Sequence, residues 1–128
     1  MRTVVWTGSR GWQDTETILD AIVSIKRPFR SIVGDARGWD ALVWETLAEF
    51  KMPRLQFKAK WNLYRNGAGP KRNALMLDWL QRIDRDGFVV AGWDGESSGT
   101  HDCMMEAELR GIPIWRVKYT PALNGGGQ

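Results

Sequence analysis

Residues 3–14 read TVVWTGSRGWQD. The run TVVWT at 3–7 is mostly apolar, as strands buried on both faces are. A glycine-rich turn follows, and Asp14 or Thr15 then caps a helix whose Ile18, Leu19, Ile22 and Val23 share one face. The same unit of strand, glycine loop and helix returns downstream. Apolar runs recur at 31–34 (SIVG), 88–91 (FVVA) and 112–117 (IPIWRV); a mixed run at 55–59 (LQFKA) suits a sheet edge. Helical spacing fills the gaps with Val43, Trp44, Leu47 and Ala48, then Met76, Leu77, Leu80 and Ile83, then Cys103, Met104 and Ala107. Pro70 suits the first turn of the third helix and Gly111 the stop after the fourth. The order βαβαβαβαβ predicts a single Rossmann-like three-layer α/β domain over residues 1–119. Its five-stranded parallel sheet carries helices on both faces, joined by right-handed crossovers. The glycine-rich stretch 120–128 (TPALNGGGQ) is expected to be a flexible tail.

Ligands of such sheets bind outside the carboxyl ends of the strands. Four tryptophans fall there: Trp12, Trp39, Trp61 and Trp93, each within a few residues of an apolar run. Glycines and cations surround them. Glycine lets backbone N–H groups approach a phosphate, Arg and Lys neutralise it, and Trp presents a flat face to a base. The combination predicts a nucleotide-like ligand.

The first loop supplies Gly8, Ser9, Arg10 and Trp12, which matches neither G-x-x-x-x-G-K-S/T nor G-x-G-x-x-G. The second, GDARGWD, supplies Asp35, Arg37, Gly38, Trp39 and Asp40. Acidic residues after a second strand bind ribose hydroxyls in dinucleotide folds, while Asp40 alternatively caps the next helix. The third, KWNLYRNGAGPKRN, supplies Lys60, Trp61, Gly69, Lys71, Arg72 and Asn73. Two cations in a first helical turn oppose the helix dipole, so they call for an anion there or for solvation. The fourth supplies Trp93 and Asp94, then Ser98, Gly99 and Thr100 leading into a helix. His101 has no nucleophile beside it and reads as a surface or packing residue, and Cys103 and Met104 read as packing on the sheet.

Composition narrows the classes. The chain has 128 residues, 43% hydrophobic and 26% charged, which fits one globular domain. Its net charge of +3 is too small to argue for nucleic acid by itself and suits a small anion equally well. One cysteine excludes an intramolecular disulfide, and one Cys with one His argues against a zinc site. No metal or cofactor is expected. The absence of a leader-like or membrane-spanning apolar stretch predicts a cytoplasmic protein. Eight tryptophans in so short a chain predict a homo-oligomer, most simply a dimer, with Trp44, Trp79 or Trp115 at the interface.

The strings TGSR, IVGDARGWDALV, KAKWNLYRNGAGPKRNALM and GWDGESSGTHDCMMEAELRGIPIW together resemble the SLOG superfamily. More narrowly they resemble its stand-alone YspA-like branch, over roughly residues 3–117; GDARGWD and AGPKRNALM are the specific parts. The resemblance implies a Rossmann-like fold with strand order 3-2-1-4-5 and binding of a nucleotide or a nucleotide-derived signalling molecule such as an ADP-ribose derivative, sensed or sequestered. Some relatives, the LOG phosphoribohydrolases, cleave the N-glycosidic bond of nucleoside monophosphates, pairing an R-K-x-x-M arginine with a glutamate in G-G-x-G-T-x-x-E. Arg72 and Met76 lie in a comparable segment, but the glutamate position falls on Cys103; Glu106 lies about a turn later. A binding module is therefore the leading expectation and an N-glycosidic hydrolase the alternative. DNA binding, as in the DprA relatives, is the weakest.

Overall fold

The computed structural model describes residues 1–119, so the expected tail at 120–128 lies outside the described residues. The strands are β1 (Arg2–Gly8), β2 (Phe29–Val33), β3 (Arg54–Gln56), β4 (Phe88–Gly92) and β5 (Ile114–Arg116). They form one all-parallel sheet in the order β3-β2-β1-β4-β5, as expected, with the mixed third strand at an edge. The helices are α1 (Thr15–Ser24), α2 (Trp39–Glu49), α3 (Trp61–Tyr64), α4 (Ala68–Ile83) and α5 (Ser98–Leu109). Among the described residues no helix is long and apolar enough to cross a membrane.

Alternation along the strands divides the core. Val4 and Trp6 point to one face, where they pack with Ile18, Ile22, Val43 and Leu47 of α1 and α2. Val5 points to the other, with Met76, Leu77 and Leu80 of α4 and Cys103, Met104 and Ala107 of α5. Helices thus cover both faces, which is why the central strands are apolar throughout. Cys103 and Met104 are core residues, as their spacing indicated.

Local signals account for several element ends. Asp14 caps α1, accepting hydrogen bonds from the N–H groups of Glu16 and Thr17. Gly111 follows α5 with φ +72° and ends it as expected. The third segment departs from its reading. β3 is three residues long and begins before Leu55, and α4 begins at Ala68, two residues before Pro70. The short helix α3 and a 3₁₀ turn at Arg65–Gly67 precede it. Four residues carry too little periodicity to register in a sequence pattern.

Candidate functional site

At the carboxyl end of the sheet, β1 and β4 finish as a paired Gly8 and Gly92. A Cβ on either glycine would overlap the ring of Trp39. Trp39 therefore lies flat on this glycine pair, fully buried, with Trp12 meeting it edge-on at 5.0 Å between ring centroids. Its Nε1 has no hydrogen-bond partner among the described residues. The expectation that all four loop tryptophans present faces to a base is thus corrected. Trp12 and Trp39 are core, 2% and 0% exposed: the two glycines leave the space that the Trp39 ring fills, and Trp12 packs edge-on against that ring. Trp61 is 45% exposed and Trp93 is half-buried.

The first two loops are locked to each other. Gly38 has φ +72°, and a Cβ there would collide with the backbone of Arg10, so both conformation and space require glycine. The Ser9 carbonyl accepts hydrogen bonds from the N–H groups of Trp12 and Trp39, at 3.1 Å each. The Ser9 hydroxyl accepts the Asp94 N–H at 3.0 Å, tying the first loop to the fourth. Ser9 is fully buried, so its hydroxyl braces loops and is not presented to solvent, although the sequence places it among the ligand-binding residues of the first loop.

Arg72 is the hub of the other two loops. Its Nη1 donates to Asp35 Oδ1 at 2.6 Å, and its Nε donates to Asn73 Oδ1 at 2.9 Å. Asn73 Nδ2 donates to the Gly99 carbonyl at the start of α5, at 3.3 Å. Asp35 also accepts the Ala59 N–H at 3.2 Å. This corrects one inference: the anion that Arg72 calls for is supplied from within the chain by Asp35, which a local reading of residues 70–73 could not see. Asp35 is accordingly committed to a cation and a backbone amide.

Asp40 sits beside this pair. A Cβ built on Gly34 would lie 2.6 Å from Asp40 Oδ2 and 2.8 Å from Arg72 Nη1, which places both groups over the end of β2. Asp40 does not cap α2; Gly38 holds that position, and Asp40 Oδ2 accepts the Ala36 N–H at 3.1 Å. Burial pushes its carboxyl from 3.8 up to about 6, against the opposing pull of Arg72 and the Ala36 amide. Asp94 behaves oppositely. Desolvation raises it, but hydrogen bonds from the N–H groups of Ser97 and Glu96 outweigh that and hold its carboxyl below the ordinary range.

The remaining expected residues line the rim. Arg10 and Arg37 are exposed, and the Arg10 guanidinium stands 5.8 Å from the centroid of Trp61. Gly69 faces the Trp61 ring. Lys60 and Lys71 line a groove of about 340 Å³ between α3 and α4, together with Lys58 and Tyr64. Ser98 and Gly99 are exposed at the start of α5, whereas Thr100 is buried, its hydroxyl 3.2 Å from that of Ser97. Trp93 donates from Nε1 to the Ser97 carbonyl, and its ring packs 5.3 Å from that of His101.

Among the polar groove residues, Lys58, Tyr64 and Asp78 are the ones that the sequence reading leaves out of the site. The K-A-K repeat at 58–60 is the available signal for Lys58, since alternate residues of an extended segment share a side. Cys103, at the position where a catalytic glutamate was sought, is fully buried, and burial pushes its thiol up to about 11. At neutral pH the buried group is therefore the un-ionised thiol, a poor nucleophile.

No family model matches the chain. It is 35% identical over 123 residues to the Gene 61 protein of Mycobacterium phage D29, covering 89% of this chain and 94% of that protein. The chain belongs to the family of that phage protein.

Proposed function

We propose that the protein is a binding module for a nucleotide or nucleotide-derived signalling molecule, such as an ADP-ribose derivative. It senses or sequesters that ligand at the carboxyl end of its sheet. One observation carries this reading: Arg72 joins the second loop through Asp35 and, through Asn73, the start of α5, while Ser9 joins the first loop to the fourth. These bonds brace four loops from four strands into one polar rim. Such bracing lowers the ordering cost of binding. Arg10, Arg37, Lys60 and Lys71 leave the rim cationic, and Trp61 leaves it one open aromatic face. The SLOG resemblance, with its YspA-like GDARGWD and AGPKRNALM segments, supports the same ligand class.

Binding is favoured over turnover because an N-glycosidic hydrolase needs a carboxylate placed to stabilise sugar charge or activate water. A buried thiol takes the expected position, and Asp35 is engaged by Arg72. The hydrolase reading retains one supporting observation: Asp40, whose carboxyl titrates near 6, lies beside Arg72 at the end of β2. We also propose a homodimer. Trp79 and Trp115 are about 40% exposed, whereas Trp44 is already covered by the Arg54 guanidinium at 3.7 Å.

Native mass spectrometry of the purified protein, followed by unfolding and identification of released small molecules, tests the reading. Intact nucleotide-type ligand supports sequestration. Steady release of free base from added nucleoside monophosphates or ADP-ribose, abolished by Asp40→Asn, replaces it with hydrolysis.

A further inference from the structure

The groove between α3 and α4 has an unusual charge balance. Its walls carry Lys58, Lys60, Lys71 and Arg72, against one carboxylate, Asp78. Arg72 is neutralised by Asp35 at 2.6 Å. Asp78 is ion-paired with Arg110 of α5 at 2.7 Å. No lysine has a carboxylate within 4.0 Å among the described residues. Three lysines without an ion-pair partner among the described residues therefore line one groove of about 340 Å³. One of them is positioned without a carboxylate: Lys71 Nζ stands 4.8 Å from the centroid of the Tyr64 ring. Lys60 also lines the adjoining hollow with Trp61, so the groove opens beside the exposed aromatic face.

We infer that this groove is a diphosphate subsite, in which Lys58, Lys60 and Lys71 hold two linked phosphates of the ligand whose base stacks on Trp61. The inference rests on the nucleotide-binding reading and narrows it to ligands with a phosphoanhydride. The charge count drives the choice. A phosphate monoester carries roughly −1.5 to −2 and so leaves a lysine uncompensated, whereas a terminal diphosphate adds one further ionised oxygen and matches all three. The volume lies at the lower end of the range for small-molecule sites, roughly 300–1,000 Å³, which suits part of a ligand better than the whole of one. Lysine donors are mobile point charges, matched to a phosphate chain more than to one fixed oxyanion.

The test is calorimetry at fixed ionic strength with inorganic pyrophosphate and orthophosphate, which carry no base, and with ADP and AMP. The probes are measured on the wild-type chain and on Lys58→Gln/Lys71→Gln, two exposed positions whose change leaves the core intact. Pyrophosphate is expected to bind at least roughly tenfold tighter than orthophosphate, and ADP tighter than AMP by a similar factor, as one added charge-assisted contact implies. Both ratios fall toward unity in the variant, with its circular dichroism unchanged. If AMP and ADP bind equally, or the ratios survive in the variant, the subsite is refuted while the nucleotide reading stands. If pyrophosphate binds in a lysine-dependent way but no nucleotide does, the groove is upheld as an anion site and the nucleotide reading fails. Single-stranded oligonucleotide binding far tighter than ADP and lost in the variant overturns the subsite in favour of a nucleic-acid surface.

Discussion

Arg72 Nη1 and Asp35 Oδ1 meet at 2.6 Å over the carboxyl end of the sheet, joining two loops that are far apart in the chain. The Arg72 side chain is 9% exposed and that of Asp35 25%, so the pair is largely withdrawn from water. Breaking such a pair from one side leaves a charge without its partner, which costs more than the pair contributes.

Arg72→Ala is therefore expected to lower stability by about 2–3 kcal/mol, since Asp35 keeps only the Ala59 amide. The double variant Arg72→Ala/Asp35→Ala should be less destabilised than the two single changes added together. Urea unfolding of the four proteins gives the coupling energy; strict additivity means that the two residues are independent. Ligand affinity in Arg72→Ala should fall by about 1.5–3 kcal/mol if the guanidinium also touches a phosphate, as calorimetry on folded protein can establish.

Asp40 makes stability depend on pH in the direction opposite to most carboxylates. Its folded value, about 6, lies above its ordinary 3.8, so the folded state holds the proton more tightly than the unfolded chain does. The stabilisation is fully present below about 3.8 and is lost as pH rises through about 6. Asp40→Asn should remove this dependence and gain about 3 kcal/mol at pH 8 relative to wild type, given roughly 1.4 kcal/mol for each pKa unit. Urea midpoints between pH 4 and 8 check the sign; a wild-type carboxyl titrating near 4 by NMR removes the basis for it.

Gly92→Ala is expected to destabilise by about 2–3 kcal/mol, because the new methyl group enters the space of the Trp39 ring. Trp39→Leu in the same chain should recover part of that loss, although Trp39→Leu alone is destabilising. A double-mutant cycle in which the two changes merely add shows that the ring and the glycine are not in register.

Cys103 should be inert in the native protein. It is fully buried and its thiol is pushed up to about 11. An aromatic disulfide reagent at pH 8 should label it only at the rate of unfolding. Rapid native labelling means that the face between α4 and α5 opens locally.

A homodimer predicts light scattering at micromolar concentration at twice the 14.6 kDa of one chain. Trp79→Glu or Trp115→Glu should return the monomer, and the variant that does so identifies the face. A single-chain mass for the wild type rejects a stable dimer.

The run TVVWT, the recurring apolar segments and the helical spacing between them were enough to specify the parallel sheet. Burial on both faces leaves a strand no polar side to alternate, and that pattern is local. The SLOG resemblance supplied the strand order. The positions of the loops were legible for the same reason, since a parallel sheet puts every strand-to-helix turn at one end. What each loop residue does there depended on partners distant in the chain. Trp39 is core and Trp61 is open because Gly8 and Gly92 pair across two strands and make a slot beneath one ring only. Arg72 already has an anion because β2 delivers Asp35 to it. Lys58, Lys60 and Lys71 face one groove because a helix of four residues turns the chain between them. The sequence by itself determined the layers and the edge at which chemistry would gather, since periodicity and turn residues act within a few positions of the chain. Only the tertiary structure decided which charges there are spent on one another and which remain for a ligand, because that is set by distances between side chains that the chain brings together on folding.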